Sequence, residues 1–127
     1  LEAFKNNKLK IVGVDPAPNI CKIANRKNIP TINNFFNKNV VTRILKKYGK
    51  AKIITGTNVF AHVNDLKLFL KNIKKLIDKK KGVFAIEVPY FLNLVKNLEY
   101  DTIYHEHLSY ITVIPLIKFL NPQYFMR

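Results

Sequence analysis

A chain of 127 residues with 48% hydrophobic content is long enough for one domain with a modest core and too apolar to be disordered. Its single cysteine excludes an internal disulfide framework and a CxxC zinc pattern, and it suits a reducing cytoplasm. The net charge of +14 points first to nucleic acid, yet it comes from 19 Lys against 3 Arg, whereas base and phosphate readers favour the bidentate Arg fork.

The lysines are scattered through segments such as "LKLFLKNIKKLIDKKKG" and "RILKKYGKAK". They read as a solvated basic face, and no nucleic-acid partner is expected. Such a field still attracts an anionic, nucleotide-bearing substrate. No apolar run reaches the roughly 18 residues a spanning helix needs, so no membrane association is expected. No secretory leader is visible either, and the expected location is the cytoplasm.

In chain order, "LEAFKNN" reads as the tail of a helix, and "KLKIVGVD" (8–15) as a short apolar strand ending in an acid. "APNICKIANRKN" (17–28) is a helix with Pro18 near its start. "PTINNFF" (30–36) is a second strand. "KNVVTRILKKYG" (38–49) is an amphipathic helix closed by Gly49, and "AKIITGTNVF" (51–60) a third strand. In the next helix Leu66, Phe69, Leu70, Ile73, Leu76 and Ile77 share one face, with Asn64 as the N-cap and Gly82 ending the segment. "GVFAIEVPY" (82–90) is a nearly continuous apolar strand of the kind covered on both faces. "FLNLVKNL" (91–98) and "TVIPLIKFL" (112–120) are short helices flanking the loop "YHEH" (104–107).

Strands alternating with helices predict an α/β fold with a doubly wound, mostly parallel sheet. Ligands of such sheets bind beyond the carboxyl ends of the strands. Asp15, Thr57, Asn58 and Glu87 all fall at or near such ends. A carboxylate at the tip of the first strand suits the two hydroxyls of a ribose; Asp15 or Asn19 serving as a helix cap is the structural alternative. No glycine-rich loop precedes residues 8–15, so the strand and turn that cradle a nucleotide are expected upstream of Leu1 and the chain reads as an internal fragment. The loop at 104–107 leaves three readings beside catalysis: a metal site with His62 or Glu106 as further ligands, a structural loop, and a surface histidine tract. Cys21 falls with Ile20 and Ala24 on a helix face and reads as core; Tyr90 and Tyr110 read as packing aromatics.

At "GVDPAPNICKIANRKNIPT", "NVFAHVNDL", "IEVPY" and above all "LEYDTIYHEHLSY", the chain resembles the S-adenosylmethionine-dependent sugar C-methyltransferases, which act on nucleotide-linked keto-deoxysugars. The resemblance covers nearly the whole chain. It implies a partial Rossmann-like, class I methyltransferase fold lacking the first strand, which in that class lies between the second and fourth. It also implies that residues 1–127 are a fragment, without the family's N-terminal zinc-binding region and C-terminal Rossmann-like domain. Where the family reads nearer to Ala-Asn-Asn, this chain has "GTN" (56–58); Asn58 is retained.

By position, the resemblance implies S-adenosyl-L-methionine as cofactor, with Asp15 on its ribose, Asn34 and Phe36 beside its adenine, and Asn58 also at the cofactor. It implies that His62, Tyr104, Glu106 and His107 line the sugar site, with no metal. His107 is the expected base. Histidine, with an unperturbed pKa of about 6.5, is largely a free base near neutrality and can remove a proton from a carbon beside a ketone. Glu106 is expected to orient an imidazole or hold a sugar hydroxyl. Tyr104 and His62 are expected to donate to the developing enolate oxygen, where one preorganised donor is commonly worth about 3 kcal/mol. Two rival functions remain. A basic nucleic-acid-binding module predicts strongly salt-dependent binding. A Rossmann-type NAD-dependent oxidoreductase shares the need for Asp15, and the YHEH context argues against it. Without its first strand, the fragment alone is expected neither to bind the cofactor tightly nor to turn over.

Overall fold

The computed structural model describes residues 1–120, in which six helices and four strands alternate as the apolar pattern requires. The chain divides into two compact units, Leu1–Lys50 and the part from Ala51 onward. In the first, α1 (Glu2–Asn6) precedes β1 (Gly13–Asp15), α2 (Pro18–Arg26), β2 (Thr31–Asn33) and α3 (Lys38–Tyr48). β1 and β2 pair in parallel, Gly13 opposite Thr31 and Asp15 opposite Asn33. A parallel pair needs a crossover, and α2 supplies it. Pro18 sits at the start of α2, where a missing N–H costs nothing. Cys21 is buried, as its helix face predicts. α3 begins where the Asn37 side chain accepts the N–H groups of Asn39 and Val40, both at 3.0 Å. It ends at Gly49, whose φ of 79° lies where a Cβ is penalised.

In the second unit β3 (Ile53–Thr57) leads through a 3-10 turn (Phe60–His62) to α4 (Leu66–Leu76). β4 (Val83–Glu87), α5 (Phe91–Asn97), a second 3-10 turn (Tyr100–Thr102) and α6 (Val113–Leu120) follow. β3 and β4 are parallel, in register from Ile53 opposite Val83 to Thr57 opposite Glu87. Leu70 and Ile73 of α4 are fully buried, as is Phe60. Phe69 presents its ring edge-on to Phe60 at 6.0 Å and lies 6.5 Å from Phe84 of β4. Packing against the apolar face of α4 therefore fixes both the strand and the turn that carries His62.

The structure corrects four details. The strands are shorter than their apolar runs, because a ladder lasts only as long as its partner: Leu9 to Val12 lie outside β1. The N-cap of α4 is Asp65, whose carboxylate accepts the Leu68 N–H at 2.9 Å, not Asn64. α4 stops at Leu76, well before Gly82; Ile77 is extended and bridges to Ala51, yet stays buried. β4 is not covered on both faces among the described residues: Phe84 and Ile86 are half-buried, while Val83, Ala85 and Glu87 are exposed. Ile53, opposite Val83, is also exposed, so the face that carries this pair is open among the described residues. The parallel strands form two separate two-stranded sheets, consistent with a partial Rossmann-like methyltransferase fold.

Candidate active site

The turn after β1 is built by side chains close in sequence. Asp15, half-buried at the carboxyl end of β1, accepts the Ala17 N–H on Oδ1 at 2.8 Å. This bond shapes the turn ahead of α2 and is not a helix cap; Ala17 holds the cap position without a side-chain bond, and Asn19 lies inside the helix. The main-chain carbonyl of Asp15 accepts from Asn34 N at 3.0 Å, from Asn33 Nδ2 at 3.2 Å and from the Cys21 thiol at 3.2 Å. Asn33 Nδ2 also donates to Pro16 O at 2.8 Å. The result is a carboxylate fixed at the rim of the sheet beside Asn34, whose Oδ1 accepts from Asn37 Nδ2 at 3.2 Å. Of the two neighbouring phenylalanines, Phe36 is half-buried and Phe35 is 73% exposed.

Asn58 follows β3 with φ 53°, a left-handed conformation that asparagine tolerates better than most residues. Its N–H donates to Glu87 O at 2.9 Å and ties the strand exit to the end of β4. Thr57 and Glu87 are exposed at the paired ends of the two strands.

His62 and the 104–107 turn come together although 44 residues separate His62 from its partner Glu106. His107 lies with its ring 4.9 Å from that of His62 and 4.4 Å from that of Tyr104. Its Nδ1 is 2.8 Å from Thr102 O. A carbonyl oxygen only accepts, so Nδ1 carries the proton; in the neutral ring Nε2 then holds the lone pair. The Tyr104 hydroxyl, 3.4 Å away, is the donor nearest that lone pair. Tyr110 stands edge-on to His107 at 6.2 Å and packs against Phe91 at 6.0 Å, the packing role expected of it.

The turn is held to the rest of its unit by main-chain bonds. His107 N donates to Tyr104 O at 3.0 Å, and Leu108 N and Ser109 N both donate to Ala61 O, at 2.9 and 3.2 Å. Glu106 does orient an imidazole, but through its carbonyl: His62 Nδ1 is 2.7 Å from Glu106 O. The Glu106 residue is otherwise exposed. His105 is exposed, its ring T-shaped to that of Tyr104 at 6.3 Å. Among the described residues no group of three or more His, Cys, Asp or Glu converges as metal ligands do. Thr102 and Ala61 carry no signal in the letters, because each contributes a main-chain carbonyl that every residue possesses.

The family described as a methyltransferase domain matches residues 1–117. The chain is also 38% identical over 113 residues to the C-methyltransferase NovU of Streptomyces niveus. That alignment takes in 89% of this chain, which spans 27% of the relative's length. Parallel β–α–β units, a carboxylate at the first strand's rim and the match over nearly the full chain give one conclusion: the chain belongs to the methyltransferase family, whose members generally use S-adenosyl-L-methionine.

Proposed function

We propose that this chain is part of a C-methyltransferase that acts on a nucleotide-linked keto-deoxysugar, with His107 as the base. The observation that carries the reading is the 2.8 Å contact between His107 Nδ1 and Thr102 O: the carbonyl only accepts, which puts the hydrogen on Nδ1 and leaves the Nε2 lone pair of the neutral ring to take a proton. The similarity to the C-methyltransferase NovU supports transfer to carbon.

The steps follow from the chemistry of the residues. Nε2 of His107 removes a proton from the sugar carbon next to the ketone, and the bonding pair moves to form an enolate. The Tyr104 hydroxyl, beside Nε2, donates to the developing oxyanion. The exposed Glu106 carboxylate is available to a sugar hydroxyl. S-adenosyl-L-methionine, when bound, supplies an electrophilic methyl group on a positively charged sulfur.

The residues of the β1 rim fit that cofactor. Ala17 N–H occupies one oxygen of Asp15, and the other is suited to accept from ribose hydroxyls. Asn34 and Phe36 are assigned to the adenine, and Asn58 to the cofactor as well. Because the chain spans 27% of NovU's length, we assign the activity to an intact protein and not to these residues alone. A lone, buried thiol accords with a reducing cytoplasm.

The test is His107→Asn in the intact protein. Loss of a positioned base costs about 10²- to 10⁴-fold in rate. Methyl transfer should fall by that factor, and exchange of the sugar proton with solvent should stop, while calorimetry finds cofactor affinity unchanged. Near-normal turnover in the variant would remove His107 from the mechanism.

A further inference from the structure

The second imidazole of the cluster, His62, is expected from the sequence to donate to an enolate oxygen, and its contacts suggest a different role. His62 closes the 3-10 turn Phe60–His62, with Nδ1 at 2.7 Å from Glu106 O. Since the carbonyl only accepts, Nδ1 bears the hydrogen, and a neutral His62 has a bare lone pair at Nε2. In that form it has no second N–H for an enolate oxygen. We propose that His62 is a positioning residue: by gripping the main chain one residue before His107, it sets the orientation of the base and of Tyr104.

Three features of the same turn support the assignment. Glu106 O belongs to the peptide that leads directly into His107, so a hydrogen bond there acts on the base's own backbone. The His62 ring lies 4.9 Å from that of His107, tilted by 48°, which limits how far the base can rotate. Ala61, next to His62, accepts from Leu108 N and Ser109 N, so the turn holds the loop on both sides of His107. The two Ala61 bonds are main-chain bonds and remain when His62 is replaced. A His62 variant therefore keeps the loop attached and loses only the fine alignment. An error of about 1 Å in such alignment costs up to about 100-fold in rate.

The assignment rests on the proposed role of His107, and two kinds of measurement keep the two claims apart. The first needs no turnover: histidine-selective ¹⁵N spectra of the intact protein should show the His62 proton on Nδ1, and a proton on Nε2 would overturn the proposal whatever His107 does. The second uses side-chain mimicry. Asparagine puts its amide nitrogen where histidine has Nδ1, and glutamine puts its own where histidine has Nε2. His62→Asn should keep most of the turnover, while His62→Gln and His62→Ala should lose about 10- to 100-fold in kcat with little change in the KM for the nucleotide sugar. Retention by Gln with loss in Asn would make Nε2 the working atom and overturn the assignment, as would equal rates in all three variants. A turnover loss in His62→Asn as deep as in Ala would do the same.

Discussion

The two units each present polar side chains at the carboxyl ends of a parallel strand pair, but they hold them by different means. In the first, the Asp15 turn is tied by residues within about one βα unit: Ala17, Cys21, Asn33 and Asn34 all bond to Asp15 itself. In the second, the imidazole cluster depends on a turn at 60–62 reaching a loop at 102–109, far along the chain. A carboxylate rim can thus be written into one β–α–β unit, whereas an imidazole cluster joined across the chain requires the core beneath it to be packed first. Locally tied turns should survive core damage nearby, and the long-range cluster should not.

That contrast can be strained most severely at Leu70, fully buried in α4. Leu70→Ala should cost about 2–5 kcal/mol of stability, measured by denaturant unfolding. Hydrogen exchange should report early loosening at the Leu108 and Ser109 amides, because Phe69 of the same helix packs on Phe60 of the 60–62 turn. A variant with full stability and unchanged protection at those amides would mean that the cluster does not rely on this core.

A milder test belongs to the first unit. Asn37→Ala removes the acceptor of two N–H groups at the start of α3 and should cost about 1 kcal/mol, with Asn37→Asp restoring most of it. Asn37 also donates to Asn34, so the alanine variant should weaken cofactor binding by the intact protein as well; unchanged affinity would detach Asn34 from the site.

The smallest effect is expected at Asp78, an exposed acid whose carboxylate accepts the N–H groups of Lys80 and Lys81 at 2.8 and 2.9 Å. These bonds, led by that of Lys81, hold its carboxyl below the ordinary value of 3.8, with Lys52 and Lys80 charges adding to the shift. The charged form is thus favoured by folding. Its contribution is present above pH 3.8 and fades as pH falls through the lowered value. Asp78→Asn should flatten the acid side of the stability profile slightly, losing at neutral pH the small contribution of the charged form and almost nothing at low pH. An identical acid limb in the variant would show that the turn carries no such linkage.

Apart from α4, which stops at Leu76 rather than near Gly82, the helices were legible to within a residue or two. Pro18, the Gly49 stop and the 3.6-residue spacing of Leu66, Leu70, Ile73 and Leu76 act through local backbone geometry, and the observed elements follow them. The strands were legible in position but not in length, since 8–15, 30–36, 51–60 and 82–90 shrink to three or five paired residues. The choice of Asp65 over Asn64 as N-cap also escaped the pattern, because two adjacent polar residues are equivalent until the chain's direction into α4 is fixed. At the site, the residue types of "YHEH" were informative, and their hydrogen-bond roles were not. Nothing in the letters separates the Glu106 carbonyl from its carboxylate.

The sequence by itself determined the alternation of strands and helices, the acid at the first rim and the family, because these reside in local propensity, apolar period and motif. Only the tertiary structure decided which nitrogen of each imidazole carries its hydrogen. That choice is made by carbonyl oxygens at Thr102 and Glu106, and a carbonyl's position depends on packing across the unit rather than on the identity of the residue that bears it.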